Sequence, residues 1–353
     1  MNAHSRNLVV VNFAIMKSSH NRRTRFEFNV FEGPDSIKEF LSPESGSPTP
    51  LVELPNHLNS FHGDGARIFA KLAFLSPLLN VKALPALNML RAAESNGQLQ
   101  GVHTIVESSS GNTVFSLAVL ASLFGIHRVK AFVPFDIAPG KLDMLRLAGV
   151  QPEMKRGALG EFSAIAEARE AGRNPGYFSP SQYENEANPS VFENCFAPEI
   201  WKQTRGRPTI FAAGLGTTGT MLGSARFFRR CPHKVTTVAS ICAPNEAVPG
   251  VRSRAKLEEI GFDWQGAVDS TMEVGAKESF RRSMGLCRSG LLGGPGSGFA
   301  LAGLLQFLQI QKENSDLDRL RNDNGEIVAT FVCGDTPIPY LDKYSTYLEA
   351  EEF

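Results

Sequence analysis

Three segments of the chain carry residue types that do chemistry together. Residues 208–230 read PTIFAAGLGTTGTMLGSARFFRR. An apolar run feeds Gly214-Leu215-Gly216-Thr217-Thr218-Gly219-Thr220, and a helical pattern follows. Backbone N–H groups, threonine hydroxyls and the positive end of a helix make such a turn a phosphate site. Gly214, Gly216 and Gly219 also fit the dinucleotide pattern GxGxxG. That pattern expects an acid about 20 positions on, at the end of the next strand. The next strand, Lys234 to Cys242, ends without one, and Glu246 is the first acid beyond it. A Walker A loop would need Gly-Lys-Ser/Thr, which is absent. The run of threonines suggests a single phosphate monoester, and a tight strand-to-helix turn with no ligand is the plain alternative.

The second segment is Ser76-Pro77-Leu78-Leu79-Asn80-Val81-Lys82, which leads into a helix predicted over Ala83 to Asn96. A cation at a helix start faces the wrong end of the dipole, and its apolar neighbours desolvate it. Both effects lower a lysine pKa, as a Schiff-base lysine requires; a solvated side chain is the bland reading. The third is Glu107-Ser108-Ser109-Ser110-Gly111-Asn112-Thr113, between a strand end and a helix start. Its N–H and hydroxyl donors suit a carboxylate, although a simple helix N-cap uses the same residues.

The elements that must position these loops alternate. Strands are predicted at Arg67–Phe74, Val102–Val106, Lys130–Val133, Thr209–Ala213, Lys234–Cys242 and Ile327–Val332. Helices are predicted at Ala83–Asn96, Val114–Phe124, Ala138–Leu147, Thr220–Arg230 and Gly298–Lys312, several closed by glycine. Phe26 to Phe31 alternates like a half-buried strand, and residues 42–50 read as a proline-rich loop. Repeated βα units argue for parallel sheets covered by helices. With 353 residues the chain holds two domains' worth of sequence. Its 36 basic and 36 acidic residues cancel, which excludes the basic excess of a phosphate-tracking nucleic-acid binder. The five cysteines and seven histidines show no metal-ligand spacing. The scattered cysteines fit a reducing cytoplasm. The apolar run Leu8 to Met16 is too short to span a bilayer, so no membrane partner is expected.

Taken in order, the motifs resemble the cysteine synthase and cystathionine β-synthase family, the fold type II pyridoxal-phosphate enzymes. Thr49-Pro50-Leu51-Val52-Glu53-Leu54, Ala70-Lys71 and Ser76-Pro77 through Val81-Lys82 look like its opening. Ser110-Gly111-Asn112-Thr113 matches its SGNTG loop, and Gln182-Tyr183-Glu184-Asn185-Glu186-Ala187-Asn188-Pro189 its Gln-aromatic-x-Asn-x-x-Asn-Pro segment. Pro198-Glu199-Ile200 follows, then Gly216-Thr217-Thr218-Gly219-Thr220 for the GTGGT phosphate loop and Gly294-Pro295-Gly296-Ser297-Gly298 for GPSSG.

The resemblance implies two doubly wound, mostly parallel α/β domains with pyridoxal 5′-phosphate in the cleft between them. It places an N-terminal domain at 51–186 and a C-terminal domain at 25–50 plus 187–353; residues 1–24, polar at both ends, read as an N-terminal extension. Lys82 would hold the cofactor as an internal aldimine and move the substrate α-proton. Asn112 would bond the pyridoxal 3′-oxygen. Gly216, Thr217, Thr218, Gly219 and Thr220 would cradle the phosphate. Ser109, Ser110, Gly111, Thr113 and Gln182 would bind the substrate carboxylate. Of Thr336 and its neighbour Asp335, Thr336 is favoured as the neutral partner of the pyridine nitrogen, because a neutral partner keeps the ring a weaker electron sink. No metal is expected.

The implied reaction is β-replacement on an O-acetyl- or O-phospho-L-serine through an aminoacrylate, with a sulfur or amine nucleophile, by a cytoplasmic homodimer acting on amino acids. Asn80-Val81-Lys82-Ala83-Leu84 in place of Ser-Val-Lys-Asp-Arg, Val114 after Asn-Thr, Thr218 within the phosphate loop and Gly296 after Pro295 depart from the family pattern around the substrate. They leave open an amine-adding synthase of a diaminopropionate precursor, a dehydratase-type β-elimination and a catalytically silent homologue; a nicotinamide dehydrogenase built on GxGxxG is the rival from another class. Arg252 and Arg254 could bind an acidic second substrate, but a solvated loop is the reading favoured for the pair.

Overall fold

The computed structural model describes residues 29–43, 47–109, 111–135, 137, 139–155, 160–258 and 260–352. The chain forms two compact units, 1–47 and 48–353. In the first, the helix Ser36–Phe40 brings Phe40 edge-on to Phe31, with ring centroids 5.5 Å apart. The extension 1–24 and most of the strand expected at 26–31 lie outside the described residues; residues 29–31 are not in a strand.

Among the described residues the second unit has ten strands: β1 Leu51–Glu53, β2 Ala66–Leu72, β3 Thr104–Ser108, β4 Arg128–Pro134, β5 Gln151–Lys155, β6 Tyr177–Phe178, β7 Ile210–Gly214, β8 Thr236–Cys242, β9 Ser270–Val274 and β10 Ile327–Cys333. Six form a sheet in the order β1-β2-β10-β7-β8-β9, and four form a second in the order β5-β4-β3-β6. Every pairing is parallel except the edge pair β1–β2. Every residue of β8 and β10 is buried, the pattern of strands covered on both faces. The helix Pro295–Glu313 lies against the six-stranded sheet so closely that a Cβ on Gly303 would strike Ser240. On the four-stranded sheet, Ala164 and Ala168 of the helix Gly160–Ala171 pack on Val106 and Phe132.

The α/β class and the parallel sheets agree with the sequence-based expectation. The place where the chain divides differs. Residues 51–72, expected in the N-terminal domain, hydrogen-bond into the larger sheet, because β2 pairs with β10 over seven residues from Ala66↔Ile327 to Leu72↔Cys333. Four further strands were not anticipated: the edge strands β1, β5 and β9 and the two-residue β6. The polar sequence of β5, Gln-Pro-Glu-Met-Lys, shows no apolar run. The helices Gly160–Ala171 and Ala276–Arg288 were also unread, as was the helical run from Ala187 to Gln203 with its π turn at Phe192–Phe196. The fold delivers the chemistry to one place. Lys82 follows β2, Ser109 to Thr113 follow β3, Gly216 to Thr220 follow β7 and Asp335 follows β10, all beyond carboxyl ends of parallel strands.

Candidate active site

Lys82 is the residue at which the helix Ala83–Ser95 begins. Asn80 builds this corner. Its Oδ1 accepts the Lys82 N–H (2.9 Å) and the Ser116 hydroxyl (3.1 Å), and its Nδ2 donates to Leu78 O (2.7 Å). Val81 N donates to Gly334 O at 2.7 Å, which ties the lysine corner to the end of β10. Burial pushes the Lys82 ammonium down to about 8; nearby Arg252 pushes the same way and Asp335 opposes. The sequence argument for a depressed lysine is thus matched, with desolvation as the leading cause.

Two adjoining pockets meet at Lys82. The first is lined by Lys82, Asn112, Gly216, Thr217, Thr218, Thr220 and Asp335, among others. Its floor is the turn from β7 into the helix Gly219–Phe228. Thr218 takes the left-handed conformation at φ +67°. A Cβ on Gly216 would strike Gly250 O, and one on Gly219 would strike Asn188 Oδ1, so the backbone is held open by glycine. Gly219 starts the helix and is buried without lining the pocket. Thr218 Oγ1 is buried with no hydrogen-bond partner. A buried orphan hydroxyl beside a helix N-terminus fits an anionic ester that is to be received there.

The second pocket shares Lys82, Asn112, Gly216 and Thr217 and adds Ser109, Gly111, Thr113, Gln182, Tyr183, Lys141, Arg252 and Tyr340. Ser110 lies outside the described residues. Thr113 Oγ1 donates to Gln182 Oε1 (2.7 Å), and Gln182 Nε2 donates to Ser108 O (3.0 Å). Asn188 Nδ2 donates both to Gln182 O (2.7 Å) and to Thr217 Oγ1 (3.0 Å), so one amide joins the two pockets.

Two expectations change. Thr336, favoured over its neighbour, does not line either pocket; Asp335 does, at 8% exposure. Asp335 pairs in an antiparallel bridge with Asn80. Its Oδ2 accepts from Asn112 Nδ2 (2.8 Å) and from the Tyr340 hydroxyl (2.5 Å). Burial raises the Asp335 pKa, against the pull of Tyr340, Asn112, Lys141 and Lys82. Arg252, read as solvated, is 5% exposed. Its guanidinium lies 4.8 Å from the centre of the Tyr183 ring and its Nη2 donates to the Tyr183 hydroxyl (3.0 Å). Arg254 is exposed, as read. Four residues of the site have no role in the sequence reading: Asn80, Glu107, Lys141 and Tyr340. Asn80 and Glu107 lie within the segments singled out there; nothing local marks Lys141 or Tyr340.

Among the described residues, no group of three or more His, Cys, Asp or Glu could hold a metal, and no helix is long and apolar enough to cross a membrane.

Known proteins place this arrangement. The chain is 31% identical to cysteine synthase B of Escherichia coli over 270 residues, which is 76% of this chain and 86% of that protein. It is 29% identical to cysteine synthase of Staphylococcus aureus over 290 residues, 79% and 91% of the two chains. Among solved structures, it superposes on cysteine synthase of Entamoeba histolytica with a TM-score of 0.73 at 22% identity, covering 95% of each chain. O-ureido-L-serine synthase superposes with a TM-score of 0.70 at 24% identity, covering 85% of this chain and 92% of that one. Likeness at that identity shows a shared fold. The family of pyridoxal-phosphate-dependent enzymes matches residues 44–319, and the chain belongs to that family as a cysteine synthase-like member with pyridoxal phosphate as its cofactor.

Proposed function

We propose that the protein catalyses β-replacement on an O-activated L-serine, with Lys82 as the reacting amine. The observation that carries this reading is the meeting of a phosphate-type pocket and a carboxylate-type pocket at one desolvated lysine. Bound there, pyridoxal phosphate supplies a conjugated ring that takes up electron density as bonds at the substrate Cα and Cβ break. The chain's own residues do the rest. Gly216, Thr217, Thr218, Gly219 and Thr220 would hold the phosphate, and Lys82 Nζ would hold the cofactor and then carry the proton at the substrate Cα. Asn112 would meet the 3′-oxygen, and we assign the ring nitrogen to Asp335 in place of Thr336. Ser109, Ser110, Gly111, Thr113 and Gln182 would bind the substrate carboxylate.

Arg252 and Lys141 bring cations to the second pocket beyond what one carboxylate needs. They support a phosphorylated serine over an acetylated one as the donor. The nucleophile in this reading is a sulfur species or an amine, and the enzyme works as a cytoplasmic homodimer, a state that light scattering checks.

A screen of amino-acid donors against the holoenzyme, followed in the visible spectrum, tests the proposal. O-phospho-L-serine and O-acetyl-L-serine are expected to shift the resting band, and a nucleophile to restore it with a new β-substituted amino acid. Release of a keto acid and ammonia with no substituted product would mark a dehydratase. Absence of any change with every donor would mark a silent homologue.

A further inference from the structure

Glu107 sits at the carboxyl end of β3, 2% exposed, with no place in the reaction described above. Its Oε1 accepts the backbone N–H of Ser108 at 2.9 Å, and its Oε2 accepts the backbone N–H of Gln182 at 3.1 Å. Those two contacts join segments 75 positions apart in sequence. The Gln182 side chain then closes the same junction, donating to Ser108 O and accepting from Thr113. Tyr183 adds a third tie through its hydroxyl to Ser108 O, at 3.3 Å.

We infer that Glu107 is the positioning residue of the substrate-carboxylate site, fixing the loop after β3 against the Gln182 segment so that both present their donors together. The inference rests on the reading of Ser109, Gly111, Thr113 and Gln182 as that site. A carboxylate is the side chain that suits the role, because two backbone donors converge on it and only a carboxylate offers two acceptor oxygens with no donor. Its position is costly: burial pushes the carboxyl up to about 7, against the hydrogen bonds from Gln182, Ser108 and Ser181 and the charge of Arg169. Arg169 of the helix Gly160–Ala171 is the charged group facing it, and it is shared with Glu184 at 2.8 Å.

The experiment is a titration of the holoenzyme with L-alanine, which carries the carboxylate and has no leaving group, together with donor kinetics. Glu107→Gln keeps the shape but turns an NH2 group toward one of the two N–H donors. It is expected to weaken L-alanine binding and raise donor KM by about tenfold or more, with kcat and the resting cofactor spectrum unchanged. In the native enzyme, binding should weaken as pH falls through about 7, where the carboxyl takes up a proton and loses an acceptor. Glu107→Gln should lack that step, keeping only the dependence that comes from the amine of L-alanine and from Lys82. Glu107→Asp keeps the charge with a shorter reach, and an intermediate loss is expected. Gln182→Ala separates the two layers of the argument. If it leaves L-alanine binding unchanged, the carboxylate-site reading falls and the role of Glu107 with it. If it weakens binding while both Glu107 variants bind normally, only the role of Glu107 falls. Loss of the cofactor band or of cooperative folding in both Glu107 variants would make the residue a prop of the fold and would overturn the inference equally.

Discussion

The two pockets that meet at Lys82 are made from different material. The phosphate turn is backbone: glycines that hold it open, a helix N-terminus and threonine hydroxyls within one stretch, Gly214 to Thr220. The second pocket is side chains drawn from far apart: Glu107 with Gln182, Gln182 with Thr113, and Tyr183 with Arg252. A site made of backbone depends on shape and tolerates the loss of single side chains. A site made of buried side-chain networks responds to each one, because every removed partner leaves another polar group unpaired.

Variants at the two ends break or sharpen that contrast. The largest effect belongs to the residue both ends share. Lys82→Ala is expected to remove the visible Schiff-base band and to lower turnover on the order of a thousandfold or more, read by absorbance and product formation. Next comes Gly216→Ala, whose Cβ would strike Gly250 O. Apoenzyme titration should show cofactor affinity down by more than tenfold, whereas Thr218→Ala, which removes one hydroxyl, should cost about 1 kcal/mol. An equal penalty for both would contradict a backbone-built cradle. Arg252→Ala should raise the KM for O-phospho-L-serine by about tenfold and leave that for O-acetyl-L-serine nearly unchanged, since the lost contact is to a charge. Asp335→Asn should be milder in rate and visible in titration. A carboxylate beside the ring nitrogen favours its protonated form, so its loss should move the spectral pH transition of the resting enzyme to lower pH; a transition that stays in place would return the role to another residue.

The Lys82 ammonium, held down to about 8, also sets a pH dependence. The neutral amine is the nucleophile, so recombination of apoenzyme with pyridoxal phosphate should accelerate as pH rises through about 8, well below the 10.5 of an ordinary lysine.

The same contrast explains what could be read in the sequence. Gly214 to Thr220 was legible because its glycines, its strand and its helix are neighbours along the chain. Lys82 was legible because helix start and apolar neighbours are local, although the burial that lowers its pKa comes from the folded chain and Arg252 adds to it. Arg252 was misread because burial comes from Tyr183, 69 residues away, and no local pattern records it. Asp335 and Thr336 differ by one residue of register just past β10, and only the folded chain shows which of them lines the pocket at Lys82. Glu107 reads in sequence as the first residue of the loop after a strand; its Gln182 partner appears only when β3 and the Gln182 segment are brought together.

The most direct test of the central claim is product analysis after the purified holoenzyme is given O-phospho-L-serine with sulfide. The account predicts phosphate and L-cysteine in equal amounts, and neither with Lys82→Ala. Pyruvate and ammonia in their place, or phosphate release that persists without Lys82, would contradict it.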